Sequence, residues 1–155
     1  MFRKAIIISL AGFFAICGHA AEPAAAKSAS PKADARTALP FREGVMAGDT
    51  LYVAGHIGLD PATGQAPGNV ETEARLAMEA VKQTVEHSGL SMDDLVSVTV
   101  YCTDLDLYEQ FNAVYRSYFH SQFPARAFIG VNKLVRSAHF EIAGIAVKPA
   151  GARKL

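Results

Sequence analysis

The sequence predicts an α+β fold in which two helices pack on one face of a mixed sheet. Strand-like and helix-like segments follow one another in the order ββαβαββ. Strands stand at both ends of that order, and helices follow the second and third strands, which is typical of a layered α+β sandwich. Two helices can cover only one face of such a sheet, so we expect something else to cover the other face.

Residues 1–21 have the pattern of a cleavable secretory signal, with a basic start, a short apolar run and small residues at the end. The basic residues are Arg3 and Lys4, the apolar run covers residues 5–17, and Ala20 is small enough for cleavage. The run is shorter than the roughly 20 residues of a membrane-spanning helix. The sequence therefore predicts a periplasmic or secreted protein with no membrane anchor after cleavage.

The mature chain is expected to contain one domain, over residues 39–149. Residues 22–38, rich in Ala, Pro, Lys and Ser, predict a disordered linker, and residues 150–155 predict a flexible tail. Loss of the signal would leave 13 basic and 15 acidic residues, so a nucleic-acid partner is not expected. It would also remove Cys17 and leave Cys102 without a partner, so packing alone must hold the fold.

Two strands and a helix are predicted in the first half of the domain. A Gly-Asp pair separates strands at residues 44–47 and 50–55, and a turn containing Pro and Gly follows at residues 60–64. A helix over residues 71–87, ended by Gly89, places apolar side chains at helical spacing. These side chains are Ala74, Ala77, Met78, Val81 and Val85.

A strand and an aromatic helix are predicted next. Residues 95–103 alternate as strand residues do, and one face of that strand is expected to hold Val96, Val98, Val100 and Cys102. A helix beginning at Asp106, with Glu109 in a capping-box-like position, is expected to bury an aromatic stripe. The stripe consists of Phe111, Val114, Tyr115, Tyr118 and Phe119, all expected in the core.

Two closing strands follow Pro124, which cannot extend the helix, at residues 126–131 and 138–147. Residues 51–54 and 142–147 are largely apolar on both faces of their strands. A second copy of so short a chain is the simplest cover for the outer face, so we expect a homo-oligomer.

Few residues could carry chemistry. The sequence has no nucleophile elbow, phosphate loop, dinucleotide-binding glycine pattern or paired-cysteine motif. The histidines that follow the signal lack metal-ligand spacing, so no metal is expected. They are His56, His87, His120 and His139.

Two charged residues stand in otherwise apolar strands, Arg126 shortly after Pro124 and Glu141 between Phe140 and Ile142. A buried charge is costly unless it is paired or bound. The two residues could form a structural ion pair or lie exposed on an edge strand. Alternatively, Arg126 could hold a ligand carboxylate while Glu141 positions or deprotonates a water.

A set of motifs covering residues 39–147 resembles the RidA (YjgF) family. In chain order the motifs are residues 40–41 (PF), 48–58 (GDTLYVAGHIG), 60–64 (DPATG), 103–104 (TD), 111–115 (FNAVY), 124–126 (PAR) and 140–142 (FEI). The ordered set is far more specific than any one of its members.

The resemblance implies a chorismate-mutase-like (YjgF-like) α+β fold, assembled as a homotrimer with sites in clefts between subunits. It implies hydrolysis of reactive 2-imino and 2-enamino acids to 2-oxo acids and ammonia, without a cofactor. The family's Pro-Ala-Arg arginine grips the substrate carboxylate, a role that falls here on Arg126. The family's strand glutamate, here Glu141, orients the attacking water. The implied partners are a small carboxylate or imino acid and further copies of the chain.

Five further residues are candidates for substrate binding: Phe41, Gly55, His56, Asn112 and Phe128. His56 could donate to a ligand or make a local bond within its loop. The Asn112 amide could bond a loop near the site or lie on the helix surface. Phe128 stands where the family has a smaller residue that lines the pocket.

Several positions depart from the family pattern. Phe41 stands where many members have a tyrosine whose hydroxyl reaches the site. Ala54 and His56 replace a frequent Ser and Gln, and Ala127 and Gly130 replace a small hydroxyl residue and a frequent Glu. The missing hydroxyls predict a less polar, reshaped pocket, so the particular imine is left open.

Three other functions also stay open. The same cleft could hold a small carboxylate without turnover. Members of the family often carry a ribonuclease label, but an acidic mature chain with no basic stripe argues against that activity. A holdase-like protein should instead expose an apolar surface on the assembled trimer.

Overall fold

The computed structural model describes residues 39–151. The predicted signal at residues 1–21, the linker at 22–38 and residues 152–155 of the predicted tail lie outside the described residues. Within that range the structure confirms the order ββαβαββ. The strands are β1 (Gly44–Ala47), β2 (Thr50–Ile57), β3 (Leu95–Cys102), β4 (Ala125–Gly130) and β5 (Phe140–Val147), and the helices are α1 (Val70–His87) and α2 (Tyr108–Arg116).

The strands form one mixed sheet in the order β1-β2-β5-β3-β4. Neighbouring strands are antiparallel except β3 and β4, which run parallel because the chain crosses over through α2 between them. This topology places Arg126 on an edge strand and Glu141 on the central strand.

The helix α1 begins and ends as the sequence predicts, within one residue. The Asn69 side chain accepts a hydrogen bond from the Thr72 N–H at 2.8 Å and caps the first turn. Gly89, with a φ of +77°, follows the last turn. All five of the apolar residues predicted for its inner face are buried against the sheet.

The start of α2 differs from its prediction. The Asp104 carboxylate accepts from the Asp106 N–H at 3.0 Å and opens a 3₁₀ turn over Leu105–Leu107, and α2 follows at Tyr108. The capping box predicted at Asp106 and Glu109 is therefore wrong, because an earlier aspartate competes for the same backbone donor. Because α2 ends at Arg116, Tyr118 and Phe119 pack against the core from the segment that follows.

A bulge interrupts the alternation of β3. Leu95 pairs with Ala146, and Ser97 pairs with Ile145, so two steps along β3 match one step along β5. The extra residue turns Leu95 into the core and leaves Val96 exposed. The predicted face therefore fails at Val96, while Val98, Val100 and Cys102 are buried together.

One hydrophobic core lies between the sheet and both helices. Its largest fully buried side chains include Phe111, Phe140, Leu51 and Met78. The outer face of the sheet carries Tyr52 and Ile129, which are exposed in the single chain. This confirms that the helices cover one face and leave apolar side chains on the other.

A buried carboxyl ties α1 to the start of β5. Glu73 is fully buried, and one of its carboxylate oxygens accepts from both the His139 and Phe140 backbone N–H groups, at 2.5 and 3.0 Å. The His139 Nδ1 lies 2.6 Å from the second oxygen. Gly58 has no side chain because a Cβ there would overlap the Glu73 carbonyl. We call Glu73, His139 and Phe140 the Glu73 cluster.

Cys102 is a core residue. It is fully buried, and its thiol donates to the Asp104 carbonyl at 3.0 Å. Burial raises the pKa of the Cys102 thiol, so the neutral form is favoured. Separately, no helix among residues 39–151 combines the length and apolar character needed to span a membrane.

Candidate functional site

A cavity of about 290 Å³ lies where β4 begins, beside α2. We call it the arginine cavity. It is lined by Tyr108, Asn112, Tyr115, Arg116, Phe123, Pro124 and Arg126. Its position follows from the topology, because the α2 crossover brings the helix over the edge strand that carries Arg126.

The Arg126 guanidinium lies among aromatic rings. Its central carbon is 4.5 Å from the Tyr115 ring centroid, 5.7 Å from that of Tyr108 and 5.8 Å from that of Phe128. Its one side-chain hydrogen bond within residues 39–151 goes to the Tyr108 hydroxyl, at 3.4 Å. None of the ion pairs in this part of the chain includes Arg126. A guanidinium in these surroundings is suited to bind an anion.

Two more polar groups border the same cavity. Asn112 is only 4% exposed, and its amide makes no side-chain hydrogen bond with any other described residue. Tyr115 is buried as predicted, but its hydroxyl has no partner within the described chain. Burial raises the pKa of Tyr115 to about 12, although the nearby Arg126 charge opposes the shift. The phenol is therefore neutral at ordinary pH.

A second cavity, of about 660 Å³, lies around Glu141 and the end of β2. We call it the glutamate cavity. Its walls include the predicted residues Phe41, Gly55 and His56. A Cβ at position 55 would overlap the Glu141 carboxylate, so Gly55 leaves the space in which that carboxylate lies. The remaining wall residues are Leu39, Glu43, Ala54, Ile57, Leu59, Val135 and Arg136.

His56 lies in β2 and bonds across to α1, so the predicted local bond within its loop is wrong. Its Nε2 lies 3.1 Å from the Thr84 hydroxyl on α1. Burial lowers the pKa of His56, and the charge and backbone carbonyl of Glu43 oppose that shift. The imidazole therefore lies between the sheet and α1 and favours its neutral form.

Acidification is expected to destabilise the protein partly through His56. The folded pKa of His56 lies below the ordinary histidine value of 6.5, so below that pH the unfolded chain binds a proton that the folded chain does not. Stability attributable to His56 is thus complete above pH 6.5 and is lost as the pH falls toward the folded pKa. The variant His56→Gln should lose less stability between about pH 7.5 and about pH 5.5 in urea unfolding.

His87→Gln is a matched control, because His87 is exposed at the end of α1. It should keep the wild-type loss of stability in acid. An equal loss in His56→Gln and the wild type would contradict the assignment to His56.

Arg136 is a cavity residue that the sequence did not reveal. It lies in a short turn, Val135–Ser137, in which Arg136 and Ser137 have φ values of +54° and +56°. Its guanidinium donates to the Gly64 carbonyl at 3.0 Å, which joins this turn to the loop after β2. No periodicity or motif identifies such a contact in advance, because it joins two loops that are distant in the sequence.

Arg126 and Glu141 do not meet within one chain. Arg126 pairs with Val98 of β3 and shares the helix-covered face with that buried residue. Glu141 lies between the buried residues Phe140 and Ile142, so it points to the opposite face. The structure thus gathers Arg126 and Asn112 at one cavity, and Phe41, Gly55, His56 and Glu141 at the other. The alternative of an ion pair between Arg126 and Glu141 is not realised within the chain.

Phe128 lies behind the arginine cavity. Its ring meets the Tyr108 ring edge-on, with centroids 4.9 Å apart and an angle of 88° between the planes. The other side of Phe128 packs 5.5 Å from the Phe111 ring. Phe128 therefore supports a cavity wall through Tyr108.

The chain is similar to known proteins over almost all of its described part. The model of the family described as Endoribonuclease L-PSP matches residues 31–148. The 2-iminobutanoate/2-iminopropanoate deaminase of Bos taurus is 36% identical over 110 residues, which are 70% of this chain and 80% of that protein.

Solved structures share the fold. Escherichia coli TdcF, solved with bound serine, has a TM-score of 0.69 and 35% identity, covering 72% of this chain and 91% of that one. The YjgF gene product of Escherichia coli has a TM-score of 0.68 and 35% identity, covering 71% of this chain and 89% of that one. Both carry the same mixed sheet and pair of helices.

Proposed function

The chain belongs to the RidA/YjgF family, and from that premise we propose that it hydrolyses small reactive 2-imino and 2-enamino acids to 2-oxo acids and ammonia. The observation that supports this most directly is the Arg126 guanidinium. It lies in a cavity, rests on aromatic rings and has no carboxylate partner among residues 39–151. A planar fork of donors matches the carboxylate that all these substrates share.

Glu141 is proposed to act on the water. Its carboxylate lies against Gly55 in the glutamate cavity, where it can accept a proton from water as the oxygen adds to the imine carbon. Glu141 then returns that proton to the nitrogen of the carbinolamine, and the carbon–nitrogen bond breaks as the hydroxyl oxygen gives up its own proton to the carboxylate and becomes the carbonyl oxygen. Ammonia leaves, and the 2-oxo acid remains. A protonated imine is already electrophilic, so positioning and one weak base are sufficient.

The working site is proposed to form between copies of the chain, in a homotrimer. Arg126 and Glu141 point to opposite faces of the sheet, so one chain supplies each group to a different neighbour. The uncovered outer face, with the exposed Tyr52 and Ile129, offers an apolar surface for such contacts. A carboxylate held by Arg126 of one subunit would then meet Glu141 of the next.

The activity can be tested with imines generated in place by an amino-acid oxidase. The wild-type protein should accelerate ammonia release well above the rate of spontaneous hydrolysis, without added metal or cofactor. Release at the spontaneous rate would contradict hydrolysis. If the 2-oxo acid product nevertheless bound at Arg126, the protein would be a carboxylate-binding module instead, an option that the missing hydroxyls at Phe41 and Ala127 keep open.

The endoribonuclease named in the family description is a weaker candidate for this chain. RNA binding usually draws on an excess of basic residues over the phosphates. The chain has 15 basic and 15 acidic residues, so it carries no such excess. The charge balance therefore favours a small anionic substrate.

A further inference from the structure

The Tyr108 hydroxyl stands beside the Arg126 guanidinium in the arginine cavity. Tyr108 is the first residue of α2, and its side chain is 41% exposed where it borders the cavity. The Arg126 Nη2 donates to its oxygen across 3.4 Å, which is long for a hydrogen bond. The hydroxyl accepts in that contact, so its own proton stays free to be donated elsewhere.

The position of the hydroxyl is fixed by packing. The Tyr108 ring meets the Phe128 ring edge-on, and Phe128 rests on Phe111, which is fully buried in the core. These contacts hold the ring beside β4 and place its hydroxyl next to the Arg126 guanidinium. A donor held in this way binds a ligand with little loss of side-chain entropy.

We propose that Tyr108 is a carboxylate-binding residue, whose hydroxyl and the Arg126 Nη2 donate to the same oxygen of the substrate. The proposal rests on the proposed function for its ligand, a 2-imino acid. Two donors 3.4 Å apart can each lie about 2.8 Å from one shared oxygen, which satisfies ordinary hydrogen-bond geometry. Phe41 and Ala127 bring no hydroxyl to the proposed site, and Tyr108 supplies one from α2.

The arrangement sets the substrate class. Hydroxyl and guanidinium both donate, so the site suits a group that only accepts. A free carboxylate meets that requirement at both of its oxygens. A carboxamide carries two donors of its own and would oppose the guanidinium with one of them. Arg126 therefore rejects the amide through its second donor. The Tyr108 hydroxyl adds to this preference, because it bonds a charged carboxylate oxygen more strongly than the neutral oxygen of an amide.

The probe for this inference is the product 2-oxobutanoate, titrated calorimetrically into the assembled full-length protein. Tyr108→Phe keeps the ring on Phe128 and removes only the hydroxyl, so it should weaken binding by about tenfold. The preference for 2-oxobutanoate over 2-oxobutanamide should also shrink, by a smaller factor, because the amide loses a weaker bond. Tyr118→Phe is the matched control, because the Tyr118 hydroxyl donates to the Arg75 carbonyl away from the cavity and its loss should leave affinity unchanged.

The outcomes separate this inference from the proposed function. Wild-type affinity in Tyr108→Phe, alongside lost binding in Arg126→Ala, would overturn the role of Tyr108 and leave imine hydrolysis standing. If the protein hydrolysed no imine but Tyr108→Phe still weakened binding, the role of Tyr108 would stand and the proposed hydrolysis would be contradicted. If Tyr108→Phe weakened the binding of 2-oxobutanoate and 2-oxobutanamide equally, the role of Tyr108 would also be overturned, because a merely structural role predicts that result.

Discussion

Arg126→Ala is expected to lower kcat/KM for imine hydrolysis by about a thousandfold, which corresponds to about 4 kcal/mol of lost transition-state stabilisation. The variant loses both the charge and the planar fork that orient the substrate carboxylate. Arg126→Lys keeps the charge without the fork, so its kcat/KM should lie between those of the wild type and Arg126→Ala. Arg75 is an exposed arginine on α1 that pairs with Glu71, so the control variant Arg75→Ala should keep the wild-type kcat/KM. The measurement is ammonia release at several imine concentrations.

The same variant tests whether the site lies between subunits. Glu141→Gln should also be nearly inactive, because the amide cannot accept the proton from water. When the two inactive variants are unfolded, mixed equally and refolded together, about a quarter of the sites should combine an intact Arg126 with an intact Glu141 from a neighbour. Activity should return to about that fraction of wild type. Mixed trimers without recovered activity would contradict a shared site.

Glu73→Ala is expected to destabilise the fold by about 4 kcal/mol, because it leaves two backbone donors and a histidine nitrogen without their acceptor. The Phe140 N–H is buried and cannot turn to water. Glu73→Gln keeps one acceptor oxygen and should cost about half as much. Urea unfolding of the assembled protein measures both values.

The control for this prediction is Glu71→Ala on the same helix. Glu71 is exposed and pairs with Arg75 one turn along the helix, so its loss should change stability by less than about 1 kcal/mol. Similar midpoints for Glu73→Ala and Glu71→Ala would show that the Glu73 cluster contributes nothing beyond a surface ion pair.

Local patterns predicted most of the fold because single elements encode them. The stripe of α1 and its capping residues depend on spacing within one helix, and all were found in place. The prediction failed where one residue changed the register. At Val96 a bulge shifts the faces of β3, and before α2 the Asp104 carboxylate captures a backbone donor first. Neither event alters the apolar pattern from which the elements were predicted.

The site was predicted less completely, because its important contacts join distant parts of the chain. Motifs identified Arg126 and Glu141, but only the pairing of strands reveals that they point to opposite faces. Glu73 looks like an ordinary acidic residue in the first turn of a helix, and its partners lie 66 and 67 residues away. Tyr108 could have been noticed, since it precedes Asn112 by one helical turn and so shares its face.

The burial of Cys102 shields the one cysteine of residues 39–151 from the oxidation state of its surroundings. Its thiol is sealed in the core, favours the protonated form and is engaged with the Asp104 carbonyl, so oxidants and disulfide partners have no route to it. No crosslink within residues 39–151 has to be made or broken for these contacts to form. Evolution could therefore move such a domain between reducing and oxidising environments by changing only the segment ahead of it, with its core sequence left alone.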